Sequence, residues 1–212
     1  MVGTGRKLPC AFASAMLAGI MIGIGGMAYL SCADKQVGAL LFCVGLFTIC
    51  TFGLRLYTGR VGYVLESREF ADLGVTWLGN LTGAVLAGAA AAVIRPELGE
   101  AALGACSARL MQDAGQTLVR SVLCGMLMYV AVDSYRNVAG AARYLGILLC
   151  VPAFILSGLE HSVADMFYFA LACMHAHGQL LAQSALFIMI ASLGNALGAW
   201  MVHYLVKCAR RA

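Results

Sequence analysis

Ser157-Gly158-Leu159-Glu160-His161-Ser162-Val163-Ala164-Asp165-Met166 interrupts an otherwise apolar run that extends from about 144 to 172. Ionisable groups at membrane depth are costly, so they face a bundle interior or a water-filled path rather than lipid. Ser157-Gly158 is a place where a helix can break, and the polar residues follow directly. Helices broken near the bilayer midplane are how many transport proteins build a substrate site. The stretch therefore predicts a pore or a carrier.

Composition agrees. The 212 residues are 62% hydrophobic and 11% charged, with a mean hydropathy of +0.87. Soluble domains carry about 25% charged residues, so this is an integral membrane protein. Six segments stand out, at about 10–31, 36–56, 74–94, 117–133, 144–172 and 180–207. The expectation is an all-α protein with six transmembrane helices in one transport domain, without a linker. Arg6-Lys7 ahead of an apolar run has the look of a signal peptide. The run from Cys10 to Leu30 is long enough to span and no clear cleavage site follows, so it reads as the first span. The chain has nine cysteines, most of them inside apolar runs (Cys43, Cys50, Cys124, Cys150, Cys173), and no CxxC pair. They read as small buried side chains, not as disulfides. The net charge of +4 is small and spread over loops, which speaks against a nucleic-acid partner.

Orientation follows from the cations. With both termini cytoplasmic, the inner segments hold Arg6, Lys7, Arg68, Arg136, Arg143, Lys207, Arg210 and Arg211. The outer ones hold Lys35, Arg95 and Arg109, with Arg120 near the start of the fourth span. A multi-pass protein of the cell (inner) membrane is expected.

The two halves echo each other. Leu78-Gly79-Asn80-Leu81-Thr82-Gly83-Ala84 and Leu193-Gly194-Asn195-Ala196-Leu197-Gly198-Ala199 both read LGNxxGA, each with a GxxxG contact surface. A weaker echo pairs Ala15–Gly19 with Ser121–Gly125. The second segment, ending in FGLRLYTGR, and the fifth both look broken. Two three-helix repeats, about 10–94 and 117–207, insert with opposite topology because each has an odd number of spans. Their interface then carries the path.

At this point the chain resembles the formate/nitrite transporter family. SGLEHSVADM is similar to that family's SGFEHSIANM, and LYTG at 56–59 to its LFTGN loop. WLGNLTGA and SLGNALGA are similar to its third- and sixth-span motifs, and VLCGMLMYVAV at 122–132 to its fourth-span CNWLVCLAV. The resemblance runs over nearly the whole chain. It implies an aquaporin-like protomer with broken second and fifth helices, a homopentamer, and one pore per protomer. It also implies small monovalent anions such as formate, nitrite, hydrosulfide, acetate or lactate, often moved with a proton. Departures are Arg55 where the family has an acid, Arg60 and Asp165 where it has asparagines, and Gly125 in place of the fourth-span asparagine. Arg109 stands where it has a lysine.

His161 is the central candidate: an imidazole at a dry constriction can offer an anion a hydrogen bond or a proton. On the resemblance, Thr58 faces it from the other repeat. Phe42, Leu46, Leu56, Tyr57 and Phe154 fall where the family places its apolar constrictions, which exclude hydrated ions. Glu160 is read as tying backbone at the break, Asn80 and Asn195 as tying helices or broken-loop backbone, and Arg109 as a cation drawing anions to a mouth. His161 and Asp165 share a helix face, but no further His or Cys completes a metal site. No metal and no cofactor are expected. Exposed loop histidines such as His175 and His177 are read as inert. Arg60 and Asp165, one on each broken span, are expected to pair across the repeat interface, since two unpaired charges at depth are costly. The leading function is a channel or proton-coupled transporter for small monovalent anions and their weak acids. A pore for uncharged solutes such as urea, ammonia or water is the alternative, and an enzyme is not expected.

Overall fold

The computed structural model describes residues 7–178 and 180–210. Arg6 and Arg211 of the orientation count, and the side chains of Lys7 and Arg68, lie outside the described residues. All regular structure among them is helical. The helices are α1 (Lys7–Ser31), α2 (Lys35–Phe52), α3 (Tyr57–Arg60), α4 (Phe70–Ile94), α5 (Leu98–Leu110), α6 (Ala114–Asn137), α7 (Leu145–Leu156), α8 (Ser162–His175) and α9 (Leu181–Ala209). Five of them (α1, α2, α4, α6 and α9) are long and apolar enough to cross a membrane. The apolar stretch Gly140–Leu156 is shorter, and α8 follows it after a break.

Helix starts and breaks have local causes. Asp34 caps α2, its Oδ1 accepting from the N–H groups of Gln36 and Val37 at 2.8 and 3.1 Å. Asp113 and Gln116 form a reciprocal capping box at the start of α6. α2 stops at Gly53 and α7 just before Gly158, both at φ 64°, the left-handed region that only glycine enters without strain. The turns match bond for bond. Leu54 N–H returns to the Ile49 carbonyl and Leu159 N–H to the Phe154 carbonyl, each at 2.9 Å.

The halves also pack alike: α1 lies on α4 and α6 lies on α9. A Cβ built on Gly83 would sit 1.9 Å from the Met16 carbonyl oxygen, and one on Gly198 1.9 Å from that of Val122. At both crossings backbone lies against backbone, which only glycine permits. Gly19 and Gly125 occupy matching places, 2.2 Å from the Asn80 and Asn195 carbonyls by the same measure. An asparagine at 125 would therefore push α6 off α9.

Two elements differ between the halves. After its break, the first half has α3 and two short 3-10 turns, Val61–Tyr63 and Ser67–Glu69. The second has α8, whose Ser162 to Phe169 are all buried. The charged segment after α4, read from sequence as a surface stretch, contains α5. Leu98, Ala102 and Cys106 are buried, the helix packs on α8, and Arg109 sits at its end. All nine cysteines are free.

Candidate functional site

Each break is held by one asparagine. Asn80 Nδ2 donates to the Ala15 and Arg55 carbonyls, both at 2.8 Å, and its Oδ1 accepts from Tyr57 N–H at 2.8 Å. Asn195 Nδ2 donates to the Ser121 and Glu160 carbonyls at 2.8 and 2.9 Å, and its Oδ1 accepts from Ser162 N–H at 2.9 Å. Both side chains are fully buried. Each satisfies two backbone groups that the break strips of helical partners, which would otherwise be stranded away from water, and its third bond ties the break to an intact helix, α1 through Ala15 and α6 through Ser121.

His161 caps α8. Its Nδ1 accepts from Ala164 N–H at 3.0 Å, so that nitrogen carries the lone pair and the proton sits on Nε2. Nε2 lies 2.8 Å from Thr58 Oγ1, which places the imidazole as donor and the threonine as acceptor. The Thr58 hydroxyl proton is left for another acceptor. Both side chains are buried, and each comes from the residues just after a broken helix. Phe154 stacks on the imidazole with centroids 5.5 Å apart and a 21° interplanar angle. Phe42 meets Phe154 edge-on at 6.0 Å.

A cavity flanks this centre on each side. One, of about 260 Å³, is lined by Ile49, Leu54, Leu56, Arg60, Val132 and Arg136 among others. The other, of about 40 Å³, includes Arg109, Phe154, His161, Asp165 and Tyr168 in its wall. Leu46 is buried beside α2's other core residues. Tyr57 is buried too, but its hydroxyl donates to the Ser192 carbonyl at 3.1 Å, tying it to α9. A larger groove of about 390 Å³, lined by residues such as Trp77, Leu81, Phe169 and Ile188, is almost wholly apolar and offers an anion nothing.

The family model for formate/nitrite transporters matches residues 4–209. The chain belongs to the formate/nitrite transporter family. The nitrite transporter NirC of Escherichia coli (strain K12) is 28% identical over 206 residues, covering 87% of this chain and 77% of NirC. An FNT family ion channel superposes with a TM-score of 0.83 at 27% identity, covering 97% of this chain and 91% of that one. A pentameric formate channel with formate bound superposes at 0.82 with 21% identity, over 97% of this chain and 100% of that one.

The charges that depart from the formate/nitrite transporter pattern do not pair as the sequence suggested. Arg60 does not meet Asp165. Arg60 Nη2 donates to Asp72 Oδ2 at 3.1 Å, and Arg55 Nη1 to Asp72 Oδ1 at 2.5 Å. Asp165 instead accepts from Arg109 Nε at 3.1 Å, and Glu160 accepts from the same nitrogen at 2.9 Å. Arg60 finds its partner in its own half and Asp165 finds its own on the connecting helix, because α4 and α5 bring Asp72 and Arg109 close. Glu160 acts through its carboxylate as well as its carbonyl, since Gln112 Nε2 also donates to it at 2.7 Å. Arg109 lies over the Tyr168 ring, 5.1 Å from its centroid. Its charge is thus taken up by two acids rather than offered to the mouth. His175 is the last residue of α8, and His177 lies in the turn after it, both exposed. Asp72 and Gln112 carried no sequence signal, because each acts through a fold contact rather than a motif.

Proposed function

We propose that the chain is a transporter, not an enzyme, that moves small monovalent anions and their weak acids across the cell (inner) membrane as a homopentamer. Candidates are formate, nitrite, hydrosulfide or a short-chain carboxylate. Each protomer is one transport domain of six spans, its two inverted repeats lying at about 10–94 and 117–207, with both termini cytoplasmic. The observation that carries this reading is the buried His161–Thr58 contact at 2.8 Å between the two broken segments. In this reading those polar hydrogens sit in the middle of an apolar passage walled by Phe42, Phe154, Leu46 and Leu56.

The chemistry follows from desolvation. Moving a bare anion into low dielectric costs many kcal/mol, whereas its neutral acid crosses cheaply. The anion reaches the constriction, meets the Nε2–H or the Thr58 hydroxyl proton, and loses its water. Those polar hydrogens hold it by hydrogen bonds, and a proton drawn from water neutralises it before it passes the apolar rings. The neutral imidazole is not the proton's source, because with Nδ1 held as an acceptor by the α8 cap loss of Nε2–H would leave an imidazolate. Asn80 and Asn195 keep both broken segments rigid without touching the solute.

The test is flux into proteoliposomes with formate, nitrite, hydrosulfide, lactate, urea and water. Anion or weak-acid flux should rise as external pH falls, because protons become more abundant where the acid forms. His161→Asn keeps a hydrogen-bonding group and should alter the pH profile. His161→Phe should block passage. Wild-type rates and pH profile in His161→Phe would refute the role assigned to this residue, and urea or water flux without anion flux would favour the uncharged-solute pore.

A further inference from the structure

The two asparagine clamps allow the halves to be compared position by position. Asn80 holds the Arg55 carbonyl and the Tyr57 N–H. Asn195 holds the Glu160 carbonyl and the Ser162 N–H. Arg55 therefore stands where Glu160 stands, and Arg60, three residues after Tyr57, stands where Asp165 stands. Every charge is reversed. In the first half two cations converge on one acid, Asp72. In the second, two acids converge on one cation, Arg109.

The consequence at the first-half mouth is a cation with spare donors. Both Asp72 oxygens are used by Arg55 and Arg60, and Arg60 Nε is buried without a partner among the described residues. The charges that act on Arg60 are Arg55 and Arg136 on one side, Asp72 and Glu69 on the other. Glu69 is turned to backbone, accepting from the N–H groups of Leu65 and Glu66 at 3.2 and 3.3 Å. Arg136 is exposed and stacks on Tyr63 at 4.2 Å. Arg60 and Arg136 both line the cavity of about 260 Å³, whose other walls include Ile49, Leu54, Leu56 and Val132. Arg60 Nε, out of reach of water, is the donor least screened by it.

We propose that this cavity is a holding site for one small planar oxyanion, of nitrite or formate size, bound by Arg60 Nε–H and the Arg136 guanidinium on the Arg60 side of Leu56. The proposal rests on the anion-transport reading and deepens it. The anion waits here, partly stripped of water, before or after the His161–Thr58 contact. The opposite mouth has no equivalent, because the Arg109 charge is outweighed by Glu160 and Asp165. The protein then grips its anion on one side only.

Calorimetric titration of the purified protein with sodium nitrite and with sodium formate, at constant ionic strength, tests this. Guanidinium–oxyanion bonds of this kind set the expectation that Arg60→Gln weakens binding by about tenfold or more, and Arg136→Gln by about threefold or more. Arg95→Gln removes a charge far from the cavity and should bind as wild type. Three results overturn the proposal: no binding to the wild type, unchanged binding in Arg60→Gln and Arg136→Gln, or equal loss in Arg95→Gln. Should Arg60→Gln fail to assemble, the exposed Arg136→Gln decides alone. Flux assays separate the two readings. Binding at the mouth without wild-type flux sinks the transport reading and leaves the holding site. Flux without mouth binding sinks the holding site only.

Discussion

At the residue scale, the Thr58–His161 contact and the Arg109 cluster carry different demands. Thr58 Oγ1 is the acceptor for a buried Nε2–H at 2.8 Å. Thr58→Val removes that acceptor without changing shape, stranding a donor at a cost of about 1–3 kcal/mol. We expect flux to fall at least tenfold and the melting temperature to drop, while Thr58→Ser keeps both near wild type. Flux at wild-type rate in Thr58→Val would remove the hydroxyl from the path. Arg109 is the cation bonded to both Glu160 and Asp165, whose side chains are only 3% and 1% exposed. Arg109→Gln leaves two acids buried together without a cation, a loss of about 3–5 kcal/mol. We expect Arg109→Gln to melt well below wild type at pH 7, and a melting curve that overlays the wild type would contradict this.

At the element scale, the helix crossings and the breaks set the geometry on which the site depends. A Cβ on Gly198 would come within 1.9 Å of the Val122 carbonyl oxygen. Backbone cannot yield as a flexible side chain would, so Gly198→Ala must part α9 from α6. Since α9 also carries Asn195, the displacement reaches the α8 start and His161. We expect Gly198→Ala to assemble poorly in detergent. Gly74 is the contrast, in the same kind of helix but with nothing within 4 Å of a built Cβ. Gly74→Ala should be neutral or stabilising by about 0.5–1 kcal/mol. Size-exclusion profiles and melting curves of the two variants check this; similar behaviour would mean that the crossing is not tight. The breaks at Gly53 and Gly158 share one φ, 64°, which explains why a glycine stands at both.

At the whole-molecule scale, many large apolar side chains remain uncovered by the single chain, among them Leu41, Val44, Leu86, Leu149, Leu186 and Met189. Lipid or neighbouring protomers must cover them. With the homopentamer proposed above, native mass measurement in detergent should give five chains per particle. A monomer or a tetramer would count against that assembly. The charge reversal between the halves also belongs to this scale. It makes the two mouths chemically unlike although their backbone clamps are alike.

The sequence by itself determined the environment and much of the architecture. Hydropathy needs no partner to be read, and it marked the apolar helices to within a few residues, as in Lys35–Phe52 and Leu181–Ala209. The breaks were legible because glycine followed by polar residues is a local signal. The LGNxxGA echo was legible because the backbone contact it serves tolerates glycine alone. Tertiary structure decided what depends on distance through space. Sequence placed Arg60 and Asp165 one on each broken span and suggested that they meet. The fold gave Arg60 to Asp72 and Asp165 to Arg109, since a charge takes the nearest countercharge, and nearness is set by α4 and α5 packing. The α5 helix itself escaped sequence reading because its burial on α8 leaves no strong periodic pattern. The tautomer of His161 was likewise out of reach, because it depends on Ala164 N–H lying 3.0 Å from Nδ1, a fact of how α8 begins.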